Sequence, residues 1–292
     1  MATIYEKLKA YSDSDYYGFH MPGHKRNKAL LGIELPYDLD ITEIDGFDDL
    51  HHADGILKEE QERAARVFGA EESHFLVNGS TAGILSAVMG CTHRGDKILV
   101  ARHCHKSIYH AIYMNGLVPR YVYPEFDISM HMNGEISKED VAKALAAEPD
   151  IKAVVIVSPN YDGVVSDVKG IAEVAHSYRI PLIVDEAHGP HFGFHPAFPG
   201  RANDLGADVV INSLHKTLPS LTQTAILHIN GKLANRRRIK KYLDMLQSSS
   251  PSYIFIRSTC SSLYASHSFS DNRDRMCSIN FAYLAGVKKK YR

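Results

Sequence analysis

Five short segments hold residues whose types could do chemistry together. Asn78-Gly79-Ser80-Thr81-Ala82-Gly83 stands ahead of a helix-like stretch. Arg102-His103-Cys104-His105-Lys106-Ser107, Ser158-Pro159-Asn160-Tyr161-Asp162-Gly163, Asp185-Glu186-Ala187-His188 and Asn212-Ser213-Leu214-His215-Lys216-Thr217 each follow a short apolar run. Asp185-Glu186-Ala187-His188 spells a DEAH box, but a nucleotide triphosphatase also needs a GxxxxGK[ST] loop for the phosphates. The only Gly-Lys pair, Gly231-Lys232, is followed by Leu233. Dinucleotide binding lacks its GxGxxG. His188, His191 and His195 with Asp185, or His103, Cys104 and His105, could be considered as metal ligands. Neighbours on an extended chain point to opposite sides, however, and no HExxH or spaced Cys/His set occurs, so no metal site is expected.

A fourth chemistry uses the whole set. Pyridoxal phosphate needs a lysine for its aldehyde, a carboxylate for its pyridinium nitrogen and a cup for its phosphate. Lys216 can be the Schiff-base lysine, with Ser213 and His215 near enough to reach the phosphate. Asp185, ending a buried strand, can face the ring nitrogen. Gly79, Ser80 and Thr81 at a helix amino terminus can form the cup, where free N–H groups favour an anion. His105 can stack on the ring. Each residue alone has a plainer explanation: an exposed lysine, a helix-capping Asp, a surface His, an N-cap Ser or Thr. The ordered set is what argues for chemistry.

The elements that must position these residues are visible too. Short runs rich in Val and Ile occupy 97–101, 151–157, 180–184, 208–211 and 224–229, with helix-like segments near 81–90, 106–116, 138–147 and 168–178. Ser137 precedes Lys138-Glu139-Asp140 as an N-cap with an acidic first turn. Buried strands alternating with helices predict an α/β fold with a mostly parallel central sheet flanked by helices, and ligands of such sheets bind beyond the strands' carboxyl ends. Residues 56–69 have helical spacing and stop at Gly69, and 232–247 read as a basic amphipathic helix with a solvated face. Residues 1–55, rich in turn formers and charges, read as an N-terminal arm, and 56–253 as the major domain. In 254–292 neither periodicity persists, and this segment is expected to be an atypical tail, out-of-frame or disordered.

The chain has 292 residues, with 33 basic and 34 acidic side chains and 45% apolar residues. A core of ordinary size is affordable without disulfides, and near-neutral charge argues against a nucleic-acid grip. The Cys at 91, 104, 260 and 277 show no zinc-knuckle or CxxC spacing. No run approaches the ~18 apolar residues of a membrane span, and the amino terminus has no apolar signal core. A reduced, cytoplasmic protein without a membrane partner is expected.

The segments NGSTAG, RHCHKS, SPNYDG, VDEAHG and NSLHKT, in this order, resemble the fold-type-I pyridoxal phosphate enzymes. Phe19-His20-Met21-Pro22-Gly23-His24-Lys25, Asp40-Ile41-Thr42-Glu43 and Gly46-Phe47-Asp48-Asp49-Leu50-His51 make the chain most similar to the Orn/Lys/Arg decarboxylase group. The resemblance runs from about residue 5 to 253. It implies a large domain of the fold-type-I transferase class whose smaller C-terminal domain is truncated. It implies decarboxylation of arginine, lysine or ornithine to the amine and carbon dioxide. It gives Lys216 the covalent role, Asp185 the pyridinium contact, His105 the stack, and Ser80, Thr81, Ser213 and His215 the phosphate. His188 would sit near the ring oxygen or the substrate nitrogen. A homodimer or higher oligomer is implied, with Phe19–Lys25 and Asp40–Leu50 near the site. Another fold-type-I reaction such as transamination, or a non-catalytic remnant that pairs with a full-length relative, are the alternatives.

Overall fold

A computed structural model describes residues 3–27 and 35–267. In chain order these form α1 (Ile4–Ser12), α2 (Ile56–Phe68), β1 (Glu72–Leu76), α3 (Gly79–Cys91), β2 (Lys97–Ala101), α4 (Lys106–Asn115) and β3 (Val118–Val122). A small hairpin, β4 (Phe126–Asp127) and β5 (Met132–Asn133), leads to α5 (Lys138–Ala147), β6 (Ile151–Val157), α6 (Val168–Ser177) and β7 (Leu182–Asp185). There follow β8 (Val209–Asn212), α7 (Leu214–Thr217), β9 (Ala225–Ile229), α8 (Arg236–Leu246) and α9 (Tyr253–His267).

Seven strands make one sheet in the order β1-β9-β8-β7-β6-β2-β3. The pairs β2–β3, β2–β6, β6–β7 and β7–β8 are parallel, and only β9 runs antiparallel to its neighbours β8 and β1. The mostly parallel α/β sheet expected from the sequence is therefore present. Its central strands are mostly apolar and buried, without alternation, because helices cover both faces. The antiparallel return of β9 brings β1 back to the direction of β8, so Leu76, Ala101, Val157, Asp185 and Asn212 all end at one edge. Helix ends are set locally. Ser137 caps α5 by accepting from the Glu139 and Asp140 N–H groups, and Gly69 closes α2 with φ +66°.

Two apolar cores flank this frame. The larger holds the sheet with α3–α6 and α8. The second joins Ile4 and Leu8 of α1, Ile41, Phe47 and Leu50, α2, Leu214, Leu218 and Ile226 to Tyr253, Ile256, Cys260 and Leu263 of α9. Two expectations change here. The segment 1–55 supplies buried core side chains as well as an arm: α1 carries a capping box between Thr3 and Glu6 and turns Ile4 and Leu8 inward at one helical face. Residues 254–267 are helix, not an irregular tail. Their buried residues recur at 253, 256, 260 and 263, a helical spacing that the buried Thr259 and Ser262 conceal in a hydropathy pattern. α9 is also tied down by polar contacts. Tyr264 donates to buried Glu60 at 2.7 Å, Arg257 lies 4.3 Å from the Tyr5 ring centroid, and the Tyr253 hydroxyl donates to the Phe47 and Asp48 carbonyls. Residues 268–292, with Cys277, lie outside the described residues.

Candidate active site

The carboxyl edge of the sheet collects most of the chemically promising side chains. Asp185 is the last residue of β7 and is buried, accepting from the Ala187 N–H at 3.1 Å. Burial pushes its carboxyl up to about 6, against the opposing pull of the Ala187 N–H and the Lys216 charge. Lys216 sits on the one-turn helix α7, immediately after β8. Burial holds its ammonium below the usual lysine range, with Asp185 pulling the other way. Its Nζ lies 3.0 Å from His188 Nε2. Burial first, then the charge of Lys216, drives His188 down to about 4. His188 is therefore a neutral acceptor near pH 7, and Lys216 donates to it. His105 is the N-cap of α4, with Nδ1 2.8 Å from the Ser107 hydroxyl. Burial, then the Lys216 charge, lowers its pKa, which places it in the same electrostatic group.

Ser213 occupies the N-cap position of α7 without capping it: it is fully buried, and its Oγ has no hydrogen-bond partner among the described residues. His215 bonds through Nδ1 to the Thr224 carbonyl at 2.8 Å. Gly79 opens α3 with φ +72°, a left-handed backbone that a side chain would strain, and Ser80 and Thr81 follow in the first turn. The first N–H groups of that helix have no intrahelical acceptor. The Gly79 loop and the lysine loop meet through Gln223. Its amide donates to the Val77 carbonyl, and its own carbonyl stands 3.9 Å from where a Cβ on Gly79 would be.

Thus Lys216, Asp185, His188 and His105 are brought into one group. Gly79, Ser80 and Thr81 stand at an adjoining helix start, joined to it through Gln223. Sequence reasoning missed Gln223, whose positive φ of +84° left no motif, and the pairing of Glu186 with Asn212. Glu186 accepts from the Ala202 N–H at 2.9 Å and from the Asn212 amide at 3.0 Å, and burial pushes its carboxyl up to about 8. This pair staples the end of β7 to the end of β8, just before the lysine. The Tyr161 ring meets His188 edge-on, with ring centroids 5.8 Å apart. Among the described residues no group of three or more His, Cys, Asp or Glu gathers as a metal site would require.

These residues fit pyridoxal phosphate on observations of the structure itself. Among the described residues a buried serine hydroxyl lacks a partner and a buried carboxylate has no cation hydrogen-bonded to it, and a glycine-opened helix start presents free N–H groups.

The model of the Orn/Lys/Arg decarboxylase major domain matches residues 2–278. The match passes residue 253, where the sequence resemblance was expected to stop. An arginine decarboxylase of Bacillus subtilis is 38% identical over 262 residues, covering 87% of this chain and 53% of that protein. An uncharacterized protein of the same organism, YaaO, is 42% identical over 256 residues, covering 86% and 53%. The chain thus spans about half the length of these relatives. Lysine decarboxylase A from Pseudomonas aeruginosa superposes with a TM-score of 0.78 at 27% identity, over 92% of this chain and 40% of that one.

Proposed function

Because this chain belongs to the Orn/Lys/Arg decarboxylase family through its major domain, we propose that it decarboxylates arginine, lysine or ornithine with pyridoxal phosphate, releasing the amine and carbon dioxide. The observation that carries the reading is the desolvated Lys216 amine, 3.0 Å from a neutral His188 and electrostatically coupled to buried Asp185. Pyridoxal phosphate, when bound, supplies a conjugated ring that takes up the electron pair left by the departing carboxylate.

The chain's own residues do the rest. Lys216 would hold the aldehyde carbon, and its lowered pKa leaves more of the reactive neutral amine at a given pH. Asp185 would hold the ring nitrogen. Its burial removes water that would otherwise compete for that contact, and a cation opposite it would restore the ionised carboxylate. Gly79, Ser80, Thr81, Ser213 and His215 would hold the phosphate, and His105 the ring face. The Lys216 Nζ–His188 Nε2 contact is a path on which a proton can be held while the lysine is displaced and returned. The family resemblance further supports a homodimer or larger assembly acting in the cytoplasm, with an amino acid as its small-molecule substrate.

The test is incubation of the full chain with pyridoxal phosphate and each of the three basic amino acids, with carbon dioxide and amine both quantified. Equimolar amine and carbon dioxide from one of them is expected. A keto acid in place of the amine would refute decarboxylation, and no product from any of the three would refute catalysis by this chain.

A further inference from the structure

The turn 218–224, between α7 and β9, decides where Lys216 and His215 stand, yet it has no regular secondary structure of its own. Backbone turns hold it locally, with the Ser220 N–H on the Leu218 carbonyl and the Thr224 N–H on the Leu221 carbonyl, and side chains tie it to its surroundings. On the sheet side Gln223 donates to Val77, as described. On the other side stands Ser258, in the second turn of α9. Its Oγ accepts from the Leu221 N–H at 2.7 Å and lies 3.2 Å from the Ser220 hydroxyl. The Ser220 hydroxyl is in turn 2.7 Å from that of Thr224, which also lies 2.8 Å from the Leu221 carbonyl. Leu221 N–H donates to Ser258, one proton is shared between the Ser258 and Ser220 hydroxyls, and the Thr224 hydroxyl is directed at both Ser220 Oγ and the Leu221 carbonyl. The ring begins and ends on one residue, so it locks that residue's peptide groups on both sides. Thr224 is wholly buried, and its own carbonyl takes the bond from His215 Nδ1 at 2.8 Å, one residue before Lys216.

We infer that Ser258 is a positioning residue for the lysine loop, setting Lys216 and His215 through the ring Leu221–Ser258–Ser220–Thr224. This rests on the assignment of Lys216 above. It gives α9 a part in the site, although no side chain of α9 is among the candidate site residues. Ser258 is the one member of the ring that comes from outside the turn, so it ties the turn to the second core. Removing its hydroxyl breaks two of the four contacts at once, and a threonine would keep them.

The experiment compares wild type, Ser258→Ala, Ser258→Thr and Ser220→Ala as full chains. Ser220→Ala breaks the same ring from the turn side and leaves α9 untouched. Two readouts are taken: amide exchange of the 214–224 peptide without cofactor, and the pH midpoint and dissociation rate of pyridoxal phosphate followed by absorbance. Both alanine variants should exchange about fivefold faster across 214–224 and release the cofactor about fivefold faster, the equivalent of about 1 kcal/mol for the two broken contacts together. The absorbance midpoint should move in both, while Ser258→Thr stays near wild type. Alanine variants with wild-type exchange overturn the ring. Faster exchange with an unmoved midpoint and release rate overturns its link to Lys216. A wild-type chain that takes up no cofactor refutes the functional reading instead, and then the exchange data alone decide whether the ring holds the turn.

Discussion

Replacing Tyr264 by Phe tests whether α9 belongs to the fold. The Tyr264 hydroxyl donates to Glu60 Oε1 at 2.7 Å, and Glu60 is only 3% exposed. Arg63 approaches the other carboxylate oxygen at 3.4 Å, and its guanidinium lies 4.8 Å from the Tyr264 ring centroid, a contact that a phenylalanine ring keeps. The substitution therefore removes one donor and little packing. A hydrogen bond to an ionisable group contributes about 1.5–3 kcal/mol, much of it the cost of leaving a buried acceptor without a donor. Tyr264→Phe should thus lower the urea unfolding free energy by about 1.5–3 kcal/mol with an unchanged denaturant slope. Glu60→Gln in the same background should recover part of that loss, because a neutral amide tolerates the missing donor better. The double-mutant cycle should show a coupling of roughly 1–2 kcal/mol, in the range found for residues in contact. A loss under about 0.5 kcal/mol with no coupling would mean that 254–267 is an appendage and that the second core closes without it.

Two further outcomes follow from the same packing. Glu186, whose carboxyl is raised to about 8 in the fold, holds a proton that the unfolded chain releases near 4.5, so its own contribution to stability should fall as pH rises from about 4.5 to about 8 and level off above, opposing the rise that the buried neutral His188, His191 and His228 supply. Glu186→Gln should remove up to roughly 1.4 kcal/mol of that fall per pH unit, seen in urea titrations at pH 5 and 8, and an identical slope in both proteins would refute the buried neutral acid. A Cβ at Gly90 would stand 2.8 Å from the Ile239 Cα and 2.9 Å from its N, where α3 crosses α8. Gly90→Ala should therefore destabilise by about 1–2 kcal/mol despite alanine's better helix propensity, and a thermally stabilised variant would contradict the close crossing.

The legible parts of the sequence were those buried on both sides. β2 and β6 coincide with their Val- and Ile-rich runs because parallel central strands need no alternation. The sheet-edge strands gave no such signal. β1 reads ESHFL with alternating burial, and β3 carries Pro119, which an edge tolerates. Lys216, Asp185 and His188, which the fold places together, stood out in the sequence because a strand's carboxyl end is where an α/β sheet presents its ligands. Gln223 and Ser258 did not. Their partners lie 146 and 37 or 38 residues away in sequence, at Val77 and at Leu221 and Ser220. Only the folded chain makes those contacts.

The central claim is that Lys216 is the amine that holds the cofactor, and borohydride reduction of the full chain mixed with pyridoxal phosphate tests it most directly. After digestion and peptide mass mapping, the account predicts one pyridoxyl adduct, on the peptide containing Lys216, lost together with the visible absorbance in Lys216→Ala. An adduct on a different lysine, or absorbance that survives in Lys216→Ala, would contradict it.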